Sequence, residues 1–365
     1  MNTEKILKAL QTVKDPWLNR DIVALNFVQD IQFTKNTIKF KLILNRPSVS
    51  AQTLLEQKAR DALIGLDEIE SVEIVTGWSV SAGGSTEGKQ SVPGVKNIVA
   101  VSSGKGGVGK STVAVNLAVA LAQAGAKVGL LDTDVYGPNV PIMVGVHEQP
   151  AVHGQRLLPN SAHGLKVMSL GFLNPGDRPV VWRGPMLHTA VRQFLYDVEW
   201  GELDYLIVDM PPGTGDAQLS LAQLVPVQGA VLVTTPQEVA MADVRKAINM
   251  FDQVHIPVLG IVENMSYFVC ENCETRHAIF GSGGGLELAK RFNVPLLGHV
   301  PLSVSVREGG DSGVPIIIGE PDSLQGAAFR EIADNVATQV SVQAMKGAGL
   351  PVINLSDNRG DRFAV

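Results

Sequence analysis

The chain has 365 residues, 45% hydrophobic and 18% charged, with 30 Lys and Arg against 36 Asp and Glu for a formal net charge of −6. That is the makeup of an ordinary globular protein, long enough for two or three domains and for a full core without staples. The small acidic excess and the lack of any Lys/Arg block make nucleic acid a poor first guess as partner, and two cysteines exclude a disulfide framework.

The opening MNTEKILKAL reads as an amphipathic helix and lacks the basic n-region, apolar core and cleavage site of a signal peptide, which predicts a cytoplasmic protein. Ile6, Leu7, Leu10 and Val13 keep helical spacing. TIKFKLIL sets Ile38, Phe40, Leu42 and Leu44 on one face of a strand, with Lys39 and Lys41 opposite. A helix near residues 48–64 and a strand SVEIVTG complete a small α+β domain over residues 1–80. Residues 81–94, SAGGSTEGKQSVPG, have the composition of a flexible linker.

Beyond the linker, short β-branched runs recur: NIVAVSS, KVGLLDTD, LKVMSLG, YLIVDM, GAVLVTT, VLGIVENM and LLGHVP. Near-continuous apolarity is how parallel strands buried on both faces read. Helical segments over residues 110–124, 185–197, 238–252 and 285–292 lie between them, and a last helix covers about 323–345. The pattern is an α/β domain over residues 95–346, doubly wound around a mostly parallel sheet, with a loose tail at 347–365. The longest apolar stretch, Val113 to Leu131, is interrupted by Asn116, Gln123, Gly125 and Lys127, so it reads as a buried helix and strand and predicts no membrane partner.

NIVAVSS runs into GKGGVGKST, residues 104–112, which satisfies G-x-x-x-x-G-K-[ST] between a strand and a helix. Gly104, Gly106, Gly107 and Gly109, with Val108 among them, let backbone N–H groups turn inward around phosphates at a helix N-terminus. Lys110 would reach the β- and γ-phosphates of ATP and the Ser111 hydroxyl would ligate Mg²⁺, with Thr112 closing the motif. Asp132 and Asp134 in LLDTDVYGPN, and Asp209 in LIVDMPPGTGD, stand at strand ends, where an α/β sheet gathers its ligands. Asp209 suits Mg²⁺ through water, and one of the first pair suits orienting the attacking water of an ATP hydrolase.

Lys105 is unusual, because an ordinary P-loop needs no second lysine directly after its first glycine; it is a candidate second cation for the γ-phosphate. GKGGVGKST resembles the deviant Walker A motif of the superfamily that holds the nitrogenase iron protein and the septum-positioning and partitioning ATPases. The resemblance implies a homodimer in which Lys105 acts in trans. It also implies that Asp134 orients water, Asp209 serves Mg²⁺ and Asn264, at the end of GIVENM, contacts adenine.

Cys270 and Cys273 form a lone C-x-x-C, for which zinc, an iron-sulfur cluster, a dithiol redox pair and chance are all open readings. Its place in a loop after a strand is not the helix N-terminus of a thioredoxin-like pair. Two thiolates fill half of a four-coordinate site, and a two-fold homodimer would supply four. His277, four residues beyond Cys273, reads as polar surface.

GKGGVGKST, DTDVYGPN, VVWRGPM, VDMPPGTGD, VENMSYFVCENC, HAIFGSGGG and LLGHVPLSVSVREGGDSGVPI occur in the order and approximate spacing of the Mrp/ApbC family of iron-sulfur cluster carrier ATPases. The chain resembles that family over about residues 93–340. This implies a homodimer that binds ATP, holds a labile 4Fe-4S cluster bridged by Cys270 and Cys273 of both subunits, and passes it to apo iron-sulfur proteins. Asn139 departs from the family's usual Ser after YGP. The first 80 residues are similar to the small domain of cytosolic iron-sulfur assembly factors, retaining Asp15, Pro16 and Asp21. Trp17 stands where Glu is common and NRPSVSAQTLL lacks a cysteine, so docking or assembly is the expected role. The alternative is a ParA/MinD-like positioning switch with a structural zinc at the thiol pair. A membrane-bound form should end in a basic amphipathic helix, whereas GLPVINLSDNRGDRFAV breaks at Pro351 and carries little basic charge.

Overall fold

A computed structural model describes residues 3–66, 69–83, 89–135, 137–173, 184–270 and 272–347. Nearly all of the expected tail, the middle of the expected linker and most of VVWRGPM lie outside them. The chain divides into two compact units, one running to Ser81 and taken up again from Ala344, the other Ala82–Gln343.

The first unit holds α1 (Thr3–Leu10), β1 (Val28–Thr34), β2 (Thr37–Leu44), α2 (Val49–Ile64) and β3 (Ser71–Trp78). β2 pairs antiparallel with β1 and parallel with β3. The alternation expected for β2 is what forms: Ile38, Phe40, Leu42 and Leu44 are buried, and Lys39 and Lys41 are exposed. Ser48 caps α2 by accepting the Ala51 N–H. Asp15 anchors the turn that follows it, accepting the N–H groups of Trp17 and Leu18 and pairing with Arg46 at 2.8 Å, with both charged side chains fully buried.

The second unit holds β4 (Val95–Ser103), α3 (Lys110–Gln123), β5 (Val128–Asp132), β6 (Leu165–Ser169), α4 (Gly184–Tyr196) and β7 (Leu203–Asp209). It continues with α5 (Asp216–Leu224), β8 (Gly229–Thr234), α6 (Glu238–Gln253), β9 (Val258–Val269), α7 (Gly284–Phe292), β10 (Leu296–Leu302) and α8 (Val304–Ser312). Helix α9 (Leu324–Gly347) closes the described chain. The sheet runs β6, β5, β7, β4, β8, β9, β10, every adjacent pair parallel. Asn160–Ala162 adds an antiparallel strand to β6, and Arg276–His277 adds another to β9. Every residue of β5, β7 and β8 is buried, as strands covered on both faces must be.

The order sets β4 between β7 and β8, so the C-terminal ends of β5, β7 and β4 stand side by side. Register aligns Asp209 with Asp132, and Asp132 with Ser169, in one row across three strands. Helix α8 has no apolar spacing to announce it and contains Gly309 and Gly310. A Cβ at Gly309 would lie 2.5 Å from the Val314 carbonyl oxygen, so the turn that ends the helix requires glycine there despite its poor helix propensity. No described helix is long and apolar enough to cross a membrane.

Candidate functional site: a phosphate loop and a thiol hairpin

The loop between β4 and α3 is shaped by its glycines. Gly109 caps α3 at φ 79° and Gly107 sits at φ 80°, both left-handed. A Cβ at Gly104 would fall 2.3 Å from the Asp243 carbonyl carbon of α6, so helix packing demands glycine there. A Cβ at Gly107 would meet nothing within 4 Å, and Gly107 itself lines an open cradle. Lys105, Gly106, Lys110, Ser111, Thr112 and Asp134 line that cavity, and Val108 is buried beneath it.

Lys110 reaches across to Asp209, with Nζ 2.7 Å from Oδ1, and also lies 3.1 Å from Ser111 Oγ and 3.8 Å from Asp134 Oδ2. The other Asp209 oxygen is buried and has no hydrogen-bond partner among the described residues. Burial raises the Asp209 carboxyl above its ordinary range, against the pull of Lys110. Asp132 is raised as well: burial, reinforced by the Asp209 charge, pushes it up to about 8. Its oxygens accept the Asp134 N–H at 3.0 Å and the Ser169 hydroxyl at 2.9 Å. Asp134 in turn accepts the Gly137 N–H at 3.3 Å, so the Asp132 to Asp134 segment is held as one turn.

Asn264, at the level of β9 nearest the loop, donates from Nδ2 to the Val108 carbonyl at 2.9 Å and is itself buried. The half-buried Lys105 lends its carbonyl to the Ser103 hydroxyl at 2.9 Å. Two contributors were not among the sequence candidates. Ser169 fixes Asp132 and accepts the Gly171 N–H at 3.0 Å, and its signal was a polar residue at the end of an apolar strand. Gln218 is buried and binds the carbonyls of Pro211 and Gly213 and the Gly215 N–H, clamping the loop after Asp209. Only its place at the third position of α5 could have marked it.

The thiols lie elsewhere, on a hairpin rather than in an irregular loop. Phe268 and Val269 at the end of β9 pair antiparallel with His277 and Arg276, so the chain turns back directly through the C-x-x-C. The turn closes with Glu274 N–H on the Cys270 carbonyl at 2.8 Å and Cys270 N–H on the Thr275 carbonyl at 3.0 Å, Glu274 adopting φ 56°. Cys270 is half-buried and Cys273 exposed, with Cys273 Sγ 3.3 Å from the Thr275 hydroxyl. Hydrogen bonds from the Thr275 side chain and backbone and from Cys270 hold the Cys273 thiol below its ordinary range. His277 is exposed with its ring beside Phe268. Among the described residues no three His, Cys, Asp or Glu side chains form a metal-ion group.

Residues 94–337 match the family described as the NUBPL iron-transfer P-loop NTPase, and residues 3–75 match the family described as an iron-sulfur cluster assembly protein. An iron-sulfur cluster carrier protein of Synechocystis is 50% identical over 351 residues, covering 94% of this chain and 99% of the relative. One from Deinococcus radiodurans is 47% identical over 344 residues, covering 94% and 97%. Among solved structures, a nucleotide-binding protein from Archaeoglobus fulgidus in complex with ADP is similar with a TM-score of 0.57 and 43% identity, covering 63% of this chain and 91% of that one.

Proposed function

The chain belongs to the iron-transfer P-loop NTPase family, and from that premise we propose that it carries a labile 4Fe-4S cluster as cargo and passes it to apo iron-sulfur proteins in the cytoplasm. Binding and hydrolysis of MgATP are coupled to the state of a homodimer. The observation that carries this reading is one sheet bearing both a phosphate loop beside carboxylates and a hairpin that carries one exposed and one half-buried thiol. Cys270 and Cys273 from two copies give four thiolates, the ligand number of a cubane cluster.

Gly104, Gly106, Gly107, Val108, Gly109 and Thr112 form the cradle for the phosphates, and Asn264 is the adenine contact. The donor set fits a hydrated Mg²⁺: Asp209 offers a buried, unpartnered oxygen, and the Ser111 hydroxyl lies beside the same lysine. These two residues would hold the ion, which supplies charge neutralisation between phosphates. Lys110 exchanges its carboxylate partner for phosphate oxygens, Asp134 orients the attacking water, and Lys105 from the second copy brings positive charge to the γ-phosphate. The N-terminal unit serves docking or assembly.

Anaerobic reconstitution with iron and sulfide, followed by transfer to an apo-acceptor, tests the reading. The dimer should hold about four irons and four sulfides. Cys273→Ala should fail to hold cluster, and Lys110→Ala should hold it without responding to nucleotide. A colourless dimer that retains zinc, or normal transfer by Cys273→Ala, would overturn the assignment.

A further inference from the structure

Three sequence motifs that neither the phosphate site nor the thiols fully account for, VENMS, GSGGG and LGHVP, meet at one carboxylate. Glu263 is fully buried in β9, directly opposite His299 of β10. Its Oε1 accepts the Ser266 hydroxyl at 2.5 Å and lies 3.1 Å from His299 Nδ1, and its Oε2 accepts the Gly285 N–H of α7 at 2.6 Å. A Cβ at Gly285 would lie 3.0 Å from that same carboxylate, which accounts for the last glycine of the run.

These bonds bracket an irregularity in the sheet. Asn264 pairs with Val300 but Phe268 pairs with Leu302, so β9 carries extra residues there, and Met265 adopts φ 53°. The bulge touches the phosphate loop: Asn264 Nδ2 binds the Val108 carbonyl, and a Cβ at Gly109 would lie 2.1 Å from Asn264 Nδ2 and 3.7 Å from Met265 Cε. Immediately beyond it, Phe268 and Val269 form the base of the thiol hairpin.

We propose that the β9 bulge is a mechanical relay between the phosphate loop and the thiol pair, and that Glu263 is the positioning residue that makes it work. The Glu263–Ser266 bond closes the bulge into one stiff turn. A shift of Val108 and Gly109 on nucleotide binding then reaches Phe268 and the thiols instead of being absorbed by local flexing, because packed elements change between discrete arrangements. The relay rests on the nucleotide site proposed above but not on the cargo.

The full chain without cluster therefore suffices to test it. Alkylation of Cys270 and Cys273 by N-ethylmaleimide is followed by mass, with and without Mg²⁺ and a non-hydrolysable ATP analogue. In the wild type the analogue should change the rate by about fivefold or more, the lower end of ordinary coupling between sites. In Glu263→Gln, which removes the carboxylate charge that holds the Ser266 hydroxyl and the Gly285 N–H, the change should shrink below about twofold while affinity for a fluorescent nucleotide is retained. Ser266→Ala removes the bond across the bulge, together with the 3.1 Å contact of Ser266 Oγ with His299 Nδ1, and leaves the carboxylate on the Gly285 N–H; it should behave likewise, so the test survives if Glu263→Gln fails to fold. A merely structural role would lower thermal stability and leave the nucleotide-dependent ratio intact. That result, or an unresponsive wild type, overturns the relay. A responsive wild type that never takes up cluster would leave the relay standing and remove the cargo.

Discussion

Lys110 and Asp209 stand at the ends of different segments 99 residues apart and meet at 2.7 Å, with side chains only 6% and 1% exposed. The pair neutralises charge beneath the phosphate cradle, and the second oxygen of Asp209 is buried with no hydrogen-bond partner among the described residues. Parallel packing of β7 beside β4 creates this contact, since it brings the two strand ends to one level.

Lys110→Ala should strand the Asp209 carboxylate. Loss of one partner of a buried ion pair costs about 3–5 kcal/mol, and less where the carboxyl can take up a proton. Urea unfolding should therefore show a larger loss at pH 8 than at pH 5. The melting temperature of the variant should also fail to rise with MgATP, whereas saturating ligand at about 100 times its Kd stabilises a native protein by roughly 2.7 kcal/mol.

Asp132→Asn should change the pH dependence of stability. A carboxyl held at about 8 in the folded chain keeps its proton where the unfolded chain has lost it, so its burial costs stability as pH rises from the ordinary carboxyl range to about 8. Asparagine has no proton to keep. Measured without nucleotide, the stability of the variant relative to the wild type should climb between pH 5 and 8 and then level off. A flat difference would mean that Asp132 is ionised throughout.

The loop glycines separate fold from function. Gly107→Ala meets no atom within 4 Å and bears only the strain of φ 80°, about 1–2 kcal/mol. Gly107 nevertheless lines the cradle in a left-handed conformation that alanine disfavours, and nucleotide affinity by titration calorimetry should fall at least about tenfold, or 1.4 kcal/mol. Gly104→Ala would press on α6 backbone at 2.3 Å and should be the less stable of the two.

Thr275→Val should raise the pH at which Cys273 becomes reactive. The Thr275 hydroxyl is one of the groups that favour the Cys273 thiolate, so its loss moves the midpoint of alkylation against pH upward. Wild-type Cys273 should also react faster than the half-buried Cys270.

The parallel strands of the large sheet, β2 and β3, most of the helices and the phosphate loop were legible because each is written in local spacing: alternation in TIKFKLIL, apolar runs in YLIVDM, glycines ahead of Lys110; β1 and the short antiparallel strands Asn160–Ala162 and Arg276–His277 were not. Ser169, Gln218 and Glu263 were not legible in the same way. Each is an ordinary polar residue locally and acquires its role only from what lies opposite, as Glu263 does by standing across from His299. Helix α8 was hidden because its glycines argue against it, although Ser303 caps its start and the left-handed Gly313 its end.

The sequence by itself determined the α/β class, the phosphate-binding loop, the acidic residues at strand ends and the lone thiol pair, since all of these depend on residue type and short-range order. Tertiary structure alone decided that Asp209, Asp132 and Ser169 form one row, that Lys110 is spent on Asp209, and that the thiols ride a hairpin springing from the strand that touches the phosphate loop. Strand order and register are long-range properties: they follow from how whole faces bury against one another, and no short stretch of chain contains them.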